Sequence, residues 1–386
     1  MVSGQKNKPI EWHDKKLEEF QKQGIIFRMA TCDDAPALVD FHNTYYARKS
    51  SPEHNRWIRK PEHWLWEYQT YAPGKAVFLM AEKDGQVLAT DAGIPIYMEF
   101  GGKTILATKG ENTLCLESYR GTGLMQAMNR YAVNKNYRSH VDINWASGFI
   151  TKAIGIHDFT TIFCGIETWI RPCNNWMAIG IKMRDNVPFW KRIGSTCKLA
   201  LRTLLKRNSR TISQIIKEPD YDIKQGQIPL EDMNQLRERL RAINKNVIWI
   251  KYDSRFINWR IREHPFLKYD EYQVYQNDKL LAYALVTMHG GEAYISDFLS
   301  EDPHATSLLL ATILKDFENK VGRLRYIGNP KDLISQNLFE QLPEFGFSLA
   351  MKWRLSINDR VGDMNKEFYQ IRNWNVNGLW TEGFSY

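Results

Sequence analysis

The sequence has no run of about eighteen apolar residues, so it offers no candidate membrane-spanning helix. Its opening stretch, MVSGQKNKPIEWHDKKLEEF, has no apolar core of the kind a secretory leader carries. Cysteine is sparse: five residues, at 32, 115, 164, 173 and 197, with no CxxC pair and no Cys/His cluster. That spacing excludes a zinc ribbon and a disulfide framework, and no metal site is expected. Scattered thiols in odd number suit a reducing compartment, so a cytoplasmic location is expected. The glycine-rich stretch near residue 120 lacks a following Gly-Lys-Ser/Thr, which excludes a nucleoside-triphosphate loop. It also lacks a third glycine in dinucleotide register and an acidic residue in the next strand, which argues against a dinucleotide fingerprint.

What is present is an ordinary globular composition, 43% hydrophobic and 25% charged, over 386 residues. That length exceeds one hydrophobic core, so two domains are expected. Thirteen Trp is a high count; such rings line pockets for sugars but more often fill cores. The net charge of +8 suits an anionic ligand or an acidic membrane surface.

The chain is organised around Glu111–Met128, ENTLCLESYRGTGLMQAM. The first part is an apolar run with Thr and Cys, a strand signal. Tyr119-Arg120-Gly121-Thr122-Gly123 follows. Then Leu124, Met125, Ala127, Met128 and Tyr131 recur at helical spacing, predicting a helix over Arg120–Arg138. Two glycines two apart let the backbone turn with its N–H groups facing one way. The unpaired N–H groups and dipole of the helix head attract anions, so the loop fits a pyrophosphate.

Around it, Ile25–Met29 reads as a strand and Thr31–Tyr46 as a capped helix. Pro61–Tyr68 reads as a helix with Pro in its first turn. Ala76–Glu82 and Gln86–Gly93 form a hairpin through Asp84-Gly85, the strongest short hairpin signal. Ile94–Phe100 and Thr104–Leu116 give a further strand pair. After the helix come a strand at 140–145, a short helix at Ala146–Ile154 and a strand region at 159–170. Between Lys182 and Lys217, ten Lys and Arg face only Asp185, a basic amphipathic segment. It reads as an interdomain helix or as a surface for anionic lipid. Beyond Lys217 the same order of elements begins again, with hairpin residues Asn277-Asp278 and a helix over Ala305–Val321. There the loop reads Ser300-Glu301-Asp302-Pro303-His304, with no glycine and two acids that repel phosphate.

The Arg120-Gly121-Thr122-Gly123-Leu124-Met125 run resembles motif A of the GNAT acyltransferases, Arg/Gln-x-x-Gly-x-Gly/Ala, with Met125 in place of the final Gly or Ala. The whole chain is similar in element order to tandem-GNAT acyltransferases, including those encoded with bacterial surface-polysaccharide genes. The segment Phe256-Ile257-Asn258-Trp259-Arg260, then His264-Pro265, resembles their second half. The resemblance implies an α/β (α+β) fold of two tandem GNAT-like domains, each a mixed, mostly antiparallel sheet flanked by helices. The expected organisation is a lead-in at 1–24, a domain with the carrier loop at 25–181, the basic linker at 182–217 and a second domain without a pyrophosphate loop at 218–386.

It further implies an acyl-CoA-dependent N-acyltransferase using acetyl-CoA or another acyl-CoA and no metal. Arg120, Gly121, Thr122, Gly123, Leu124 and Met125 would hold the diphosphate. The backbone of Leu114, Cys115 and Leu116, on a strand that splays from its neighbour, would face the thioester. For the base, Glu111 and His157 stand ahead of Glu117, Asp142 and Asp158, and His157 titrates near neutrality. Many relatives carry a Tyr after the splayed strand as acid for the sulfur. Here Ser147–Lys152 has none, which is tolerable for a thiol leaving group of pKa about 8.5. His42, Tyr45, Trp64 and Trp145 are the expected acceptor contacts. The acceptor is expected to be a small molecule, an amino sugar on a nucleotide or lipid carrier. No nucleic-acid partner is expected, although an aminoacyl-tRNA-dependent tandem-GNAT transferase and a non-catalytic membrane-surface module using 182–217 are the alternatives.

Overall fold

The computed structural model describes residues 10–47, 58–70, 76–137, 141–146, 161–174, 177, 220–359, 362 and 364–380. The expected helix Ala146–Ile154 lies outside the described residues except for Ala146, which ends a strand, and so do His157, the 182–217 segment and residues 381–386. The first half runs α1 (Ile10–Lys22), β1 (Ile26–Met29), α2 (Ala35–Ala47), α3 (Pro61–Gln69), β2 (Val77–Lys83), β3 (Gln86–Phe100), β4 (Lys103–Cys115), α4 (Leu124–Asn134), β5 (Val141–Ala146) and β6 (Thr161–Pro172). The second runs β7 (Asp222–Gln225), α5 (Leu230–Ile243), β8 (Trp249–Ile250), β9 (Tyr269–Gln276), β10 (Lys279–His289), β11 (Glu292–Ser300), α6 (Pro303–Phe317), β12 (Arg323–Gly328), α7 (Gln336–Gln341) and β13 (Ser348–Asp359).

Among the described residues the strands form one sheet, ordered β1-β2-β3-β4-β5-β13-β6-β12-β11-β10-β9-β7, with β8 on β3. In each half an antiparallel meander feeds one parallel pair, β4 with β5 and β11 with β12. A helix, α4 or α6, makes the crossover that a parallel pair requires. The two sequence halves exchange a strand. β13 lies between β5 and β6, and β6 pairs with β12. Backbone hydrogen bonds thus weld the halves across the middle of the sheet.

The turns follow from residue type. Asp84 and Gly85 both take positive φ, 52° and 78°, as the predicted tight hairpin needs. Asn277 and Asp278 repeat this in the second half at 50° and 61°. Two expected elements differ. Gln86–Gly93 and Ile94–Phe100 are one continuous strand, β3. Its Pro95 sits between the end of β2 at Gly93 and the start of β8 at Met98, where a strand has a free edge. The helix predicted over Arg120–Arg138 is shorter, Leu124–Asn134, because Glu117–Tyr119 forms a separate 3-10 turn.

The faces of the sheet carry different layers. On one, Leu17 and Phe20 of α1 pack with Leu124, Ala127 and Met128 of α4 over Phe27, Leu79 and Cys115. Asp14 holds α1 to α4 through both oxygens, at 2.6 and 3.0 Å from Arg130. On the other, α2 and α3 share one core with α5 and the 371–380 segment. A third cluster lies under α6. The halves also meet through the 253–265 segment, whose Trp259 stacks on Trp66 of α3 at 5.2 Å and 25°. This gives Phe256–Pro265 a packing role. His264 Nδ1 accepts the N–H groups of Phe266 and Leu267 and lies 4.1 Å from the Trp66 ring, centroid to centroid. No helix of the described residues is long and apolar enough to cross a membrane.

Candidate active site

β4 and β5 pair at Ala107–Val141, Thr108–Asp142 and Lys109–Ile143, and no further. Beyond that rung β4 stays with β3 to Cys115, and β5 stays with β13 to Ala146. A slot therefore opens in the sheet at the C-terminal end of β4. A register shift in the β3–β4 ladder lies beside it, with Asn112 at φ 47°. Such a bulge puts two successive residues on one face. Glu111 and Asn112 both reach Tyr68 on the α2/α3 face.

The ladder decides which backbone groups face the slot. Leu116 N–H donates to Leu88 C=O at 2.9 Å. Alternation then turns Leu114 to β3 as well and leaves Cys115 facing the slot. Of the three amides expected there, only that of Cys115 has this orientation. The Leu114 and Leu116 amides belong to the sheet, and the Leu116 carbonyl accepts from Tyr119 N–H at 3.0 Å in the turn that follows. The Cys115 side chain is buried on the α1/α4 face, and burial pushes its thiol up to about 11.

At the end of β4 the loop is built as its residue types dictate. Arg120 N–H closes on Glu117 C=O, and the Thr122 hydroxyl and N–H both reach Tyr119 C=O. Gly121 has φ 79° with open space around it, and Gly123 has φ 101°. Gly123 is the N-cap of α4, and no side chain caps that helix. Its first-turn N–H groups keep the capacity to bind an anion. The loop is not open on every side. A side chain at Gly123 would meet Trp12 at 2.9 Å and Lys16 at 3.2 Å, both on α1. Leu124 and Met125 bury their side chains in the α1/α4 core. Met125, the departure from the family pattern, therefore contributes backbone alone to the loop.

Arg120 turns back across the mouth of the slot. Its Nε donates to Cys115 C=O at 3.4 Å, and its guanidinium lies 5.4 Å from the Tyr45 ring on α2. Tyr45, Arg120 and Cys115 are thus brought together. His42, one helical turn before Tyr45, is buried and borders a cavity of about 10 Å³ with Leu38, Trp64, Phe78, Asn112 and Leu114. Trp64 is a correction. It is 2% exposed, with Phe78 at 5.2 Å and Tyr68 at 5.5 Å, so it walls the core and offers no face for stacking an acceptor. Trp145 lies on β5 opposite Leu355.

Glu111 is 1% exposed and ion-paired with Lys109, and the Tyr68 hydroxyl is 3.5 Å from its carboxylate. Arg59 and Glu67, paired at 3.0 Å, extend this buried cluster. Lys109 and Asn112 escaped the sequence reading. The signal for the first was there, since Lys109 and Glu111 are two apart in a strand and share a face.

The second half repeats the parting strands. β11 and β12 pair from Glu292–Arg323 to Ile295–Tyr326 and then separate, beside a bulge in the β10–β11 ladder. Here the chain fills its own cleft. Asp297 accepts from Tyr252 and Tyr283 at 2.7 and 2.8 Å, and from Asn377 at 2.7 Å. Asn375 reaches Asp332, and Trp374 C=O accepts from Asn329. At the head of α6, Asp302 accepts from Ala305 N–H at 2.6 Å.

No family model matches the sequence, and no curated protein matches it. Solved structures do match. One is a tandem GNAT protein from the clavulanic acid biosynthesis pathway, 10% identical, with 86% of this chain and 98% of that one covered and a TM-score of 0.57. Another is Saccharomyces cerevisiae N-myristoyltransferase, solved with bound myristoyl-CoA, 12% identical over 87% of this chain and 82% of that one, TM-score 0.53. At these identities the likeness establishes the fold, a mixed α/β architecture of two GNAT-like domains. Among the described residues no group of His, Cys, Asp and Glu is placed to hold a metal.

Proposed function

We propose that the chain is an acyl-CoA-dependent acyltransferase acting on an amine, with its working site in the first half. The observation that carries this reading is the slot between β4 and β5, with an uncapped Gly-Thr-Gly helix head at its end. The residues fit the group. The open backbone of Gly121–Met125 and the cation of Arg120 suit a diphosphate. A thioester bound in the slot supplies an activated acyl group.

Cys115 N–H is the donor that faces the slot, in position to hold negative charge developing on a carbonyl oxygen. Glu111 is the base we favour; the Tyr68 phenol, as buried as the carboxylate, donates to it at 3.5 Å and fixes its position. Tyr45 and Arg120 border the acceptor side. An amino sugar on a nucleotide or lipid carrier is the acceptor we favour, since both would bring anionic groups to a chain of net charge +8.

The test is mass spectrometry of the purified protein for retained coenzyme A species, followed by calorimetry with coenzyme A on wild type and Arg120→Glu. Binding at one site per chain, weakened by the substitution, is expected. Equal affinity in the two proteins would remove the site.

A further inference from the structure

We propose that Lys16 of α1, which lies in the expected lead-in and outside both expected domains, is a specificity-determining residue of the carrier site, its ammonium leaving Glu19 for a diphosphate seated at the head of α4. This rests on the reading above. The placement comes from α1 itself. Trp12, Lys16 and Phe20 recur four apart, so they share one face of that helix. Phe20 joins the α1/α4 core, with Leu17 beside it. The same face brings Trp12 and Lys16 to Gly123, the N-cap of α4. The Lys16 stem lies across that glycine, its Cγ and Cδ 3.3 and 3.2 Å from where a Cβ would stand. The ammonium is two bonds beyond Cδ, within reach of a group held by the first-turn amides of α4.

The charge there is of the wrong sign for a helix head. Backbone dipoles leave the N-terminus of a helix partly positive, which favours acids in its first turn. At the head of α6, Asp302 supplies that negative charge. α4 has no acid in its first turn and no side-chain cap. Instead Arg120 precedes it and Lys16 overlies its N-cap. Like charges gathered at one end of a helix are unfavourable, and an anion seated among them relieves this. Glu19 offsets part of it, since its carboxylate pairs with Lys16 Nζ at 2.6 Å. Both side chains are partly exposed and stand one turn apart on α1, where such a pair is worth little. A diphosphate carries more charge and accepts charge-assisted hydrogen bonds, so the exchange of Glu19 for the carrier is favourable.

The test is calorimetric titration of the full chain with coenzyme A and with dephospho-coenzyme A, which keeps the diphosphate but lacks the ribose phosphate. Lys16→Met keeps most of the stem on Gly123 and removes the charge, and should weaken both ligands about tenfold. Lys16→Arg restores a cation and should stay within about threefold of wild type. Glu19→Gln releases the ammonium and should tighten both ligands about threefold, a sign that a merely structural pair would not give. Thermal melts identify which variants are folded, and Glu19→Gln decides by itself if Lys16→Met is not. Unchanged affinity in folded Lys16→Met, a loss confined to coenzyme A, or unchanged or weaker binding in Glu19→Gln overturns the proposal and leaves the carrier site standing. Equal affinity of wild type and Arg120→Glu takes down the carrier site and this proposal together.

Discussion

The two halves of the chain each build a parallel strand pair that parts after a few rungs, and they finish it in opposite ways. In the first, β4 ends in glycines, the following helix has no side-chain cap, and Cys115 turns its backbone into the slot. In the second, Asp302 caps the helix and Asn377 occupies the parting strands through Asp297. One architecture thus yields a receptive site or a sealed joint, according to what satisfies the exposed polar groups. Both acids after β11 are already engaged: Asp302 on the head of the helix, and Glu301 in ion pairs with Arg239 and Lys279, each at 2.6 Å.

The largest expected effect comes from opening the sealed cleft. Trp374 is 0% exposed and its indole N–H donates to Phe368 C=O at 2.8 Å. Trp374→Ala should cost about 3–5 kcal/mol, read by denaturant unfolding. Under conditions where the variant is folded, coenzyme A should still bind at one site per chain. Two sites would mean that the second cleft is latent rather than lost, and the contrast between the halves would fail.

Next in size is the loss of the anion site in the first half. Arg120→Glu puts a carboxylate at the mouth of the slot and should weaken coenzyme A about 100-fold by calorimetry, roughly 2.7 kcal/mol. Gly121→Ala is the milder companion. Its Cβ meets nothing, but φ is 79°, so it should cost about 1–2 kcal/mol of stability with binding largely kept. Gly123→Ala should cost more, because Trp12 and Lys16 stand where its Cβ would go. A milder Gly123→Ala would show that α1 does not cover the loop.

The joint between the halves titrates. Burial pushes His264 down to about 3 and His63 down to about 4; neighbouring Arg260 and Arg59 act the same way, and Glu67 opposes both. An unfolded chain takes up these protons near pH 6.5, and the folded one resists until far lower. Stability from this joint is therefore complete above pH 6.5 and is lost as pH falls from there toward 3. The melting temperature should drop by a few degrees between pH 7 and 5. His264→Asn keeps an acceptor for the Phe266 and Leu267 amides and should flatten that slope. An unchanged slope would place the acid sensitivity elsewhere.

Much of this contrast is legible in the chain itself. Gly121 and Gly123 announce a bend of positive φ, Asp84-Gly85 a hairpin, and the Leu124–Tyr131 spacing a helix, because these are local constraints. Three features are not local. The exchange of β6 and β13 leaves no mark in either strand, since pairing partners far apart in sequence share no pattern. The orientation of the Leu116 amide depends on a bulge that no residue type fixes. Trp64 reads alike as core or as groove wall, and only the packing of Phe78 and Tyr68 around it decides. Glu111 was legible as a carboxylate near the loop, but its burial beside Lys109 was not.

The smallest effect tests the contrast most directly. Asp302 and Gly123 hold equivalent places, each heading the helix that follows a parting strand. Asp302 accepts from Ala305 N–H, and its C=O accepts from the Thr306 hydroxyl at 3.0 Å. Asp302→Ala removes only the first, so it should cost about 1 kcal/mol, the ordinary worth of an N-cap. It should also free the head of α6 without giving it affinity for coenzyme A. Asn377 still fills the cleft beside it, Glu301 still stands next to it, and no glycine lets the backbone turn its amides outward. Melting temperature measures the first expectation and calorimetry the second. If Asp302→Ala alone created carrier binding, the difference between the halves would reduce to a single cap. The plug and the glycines would then have to be explained by something other than the anion.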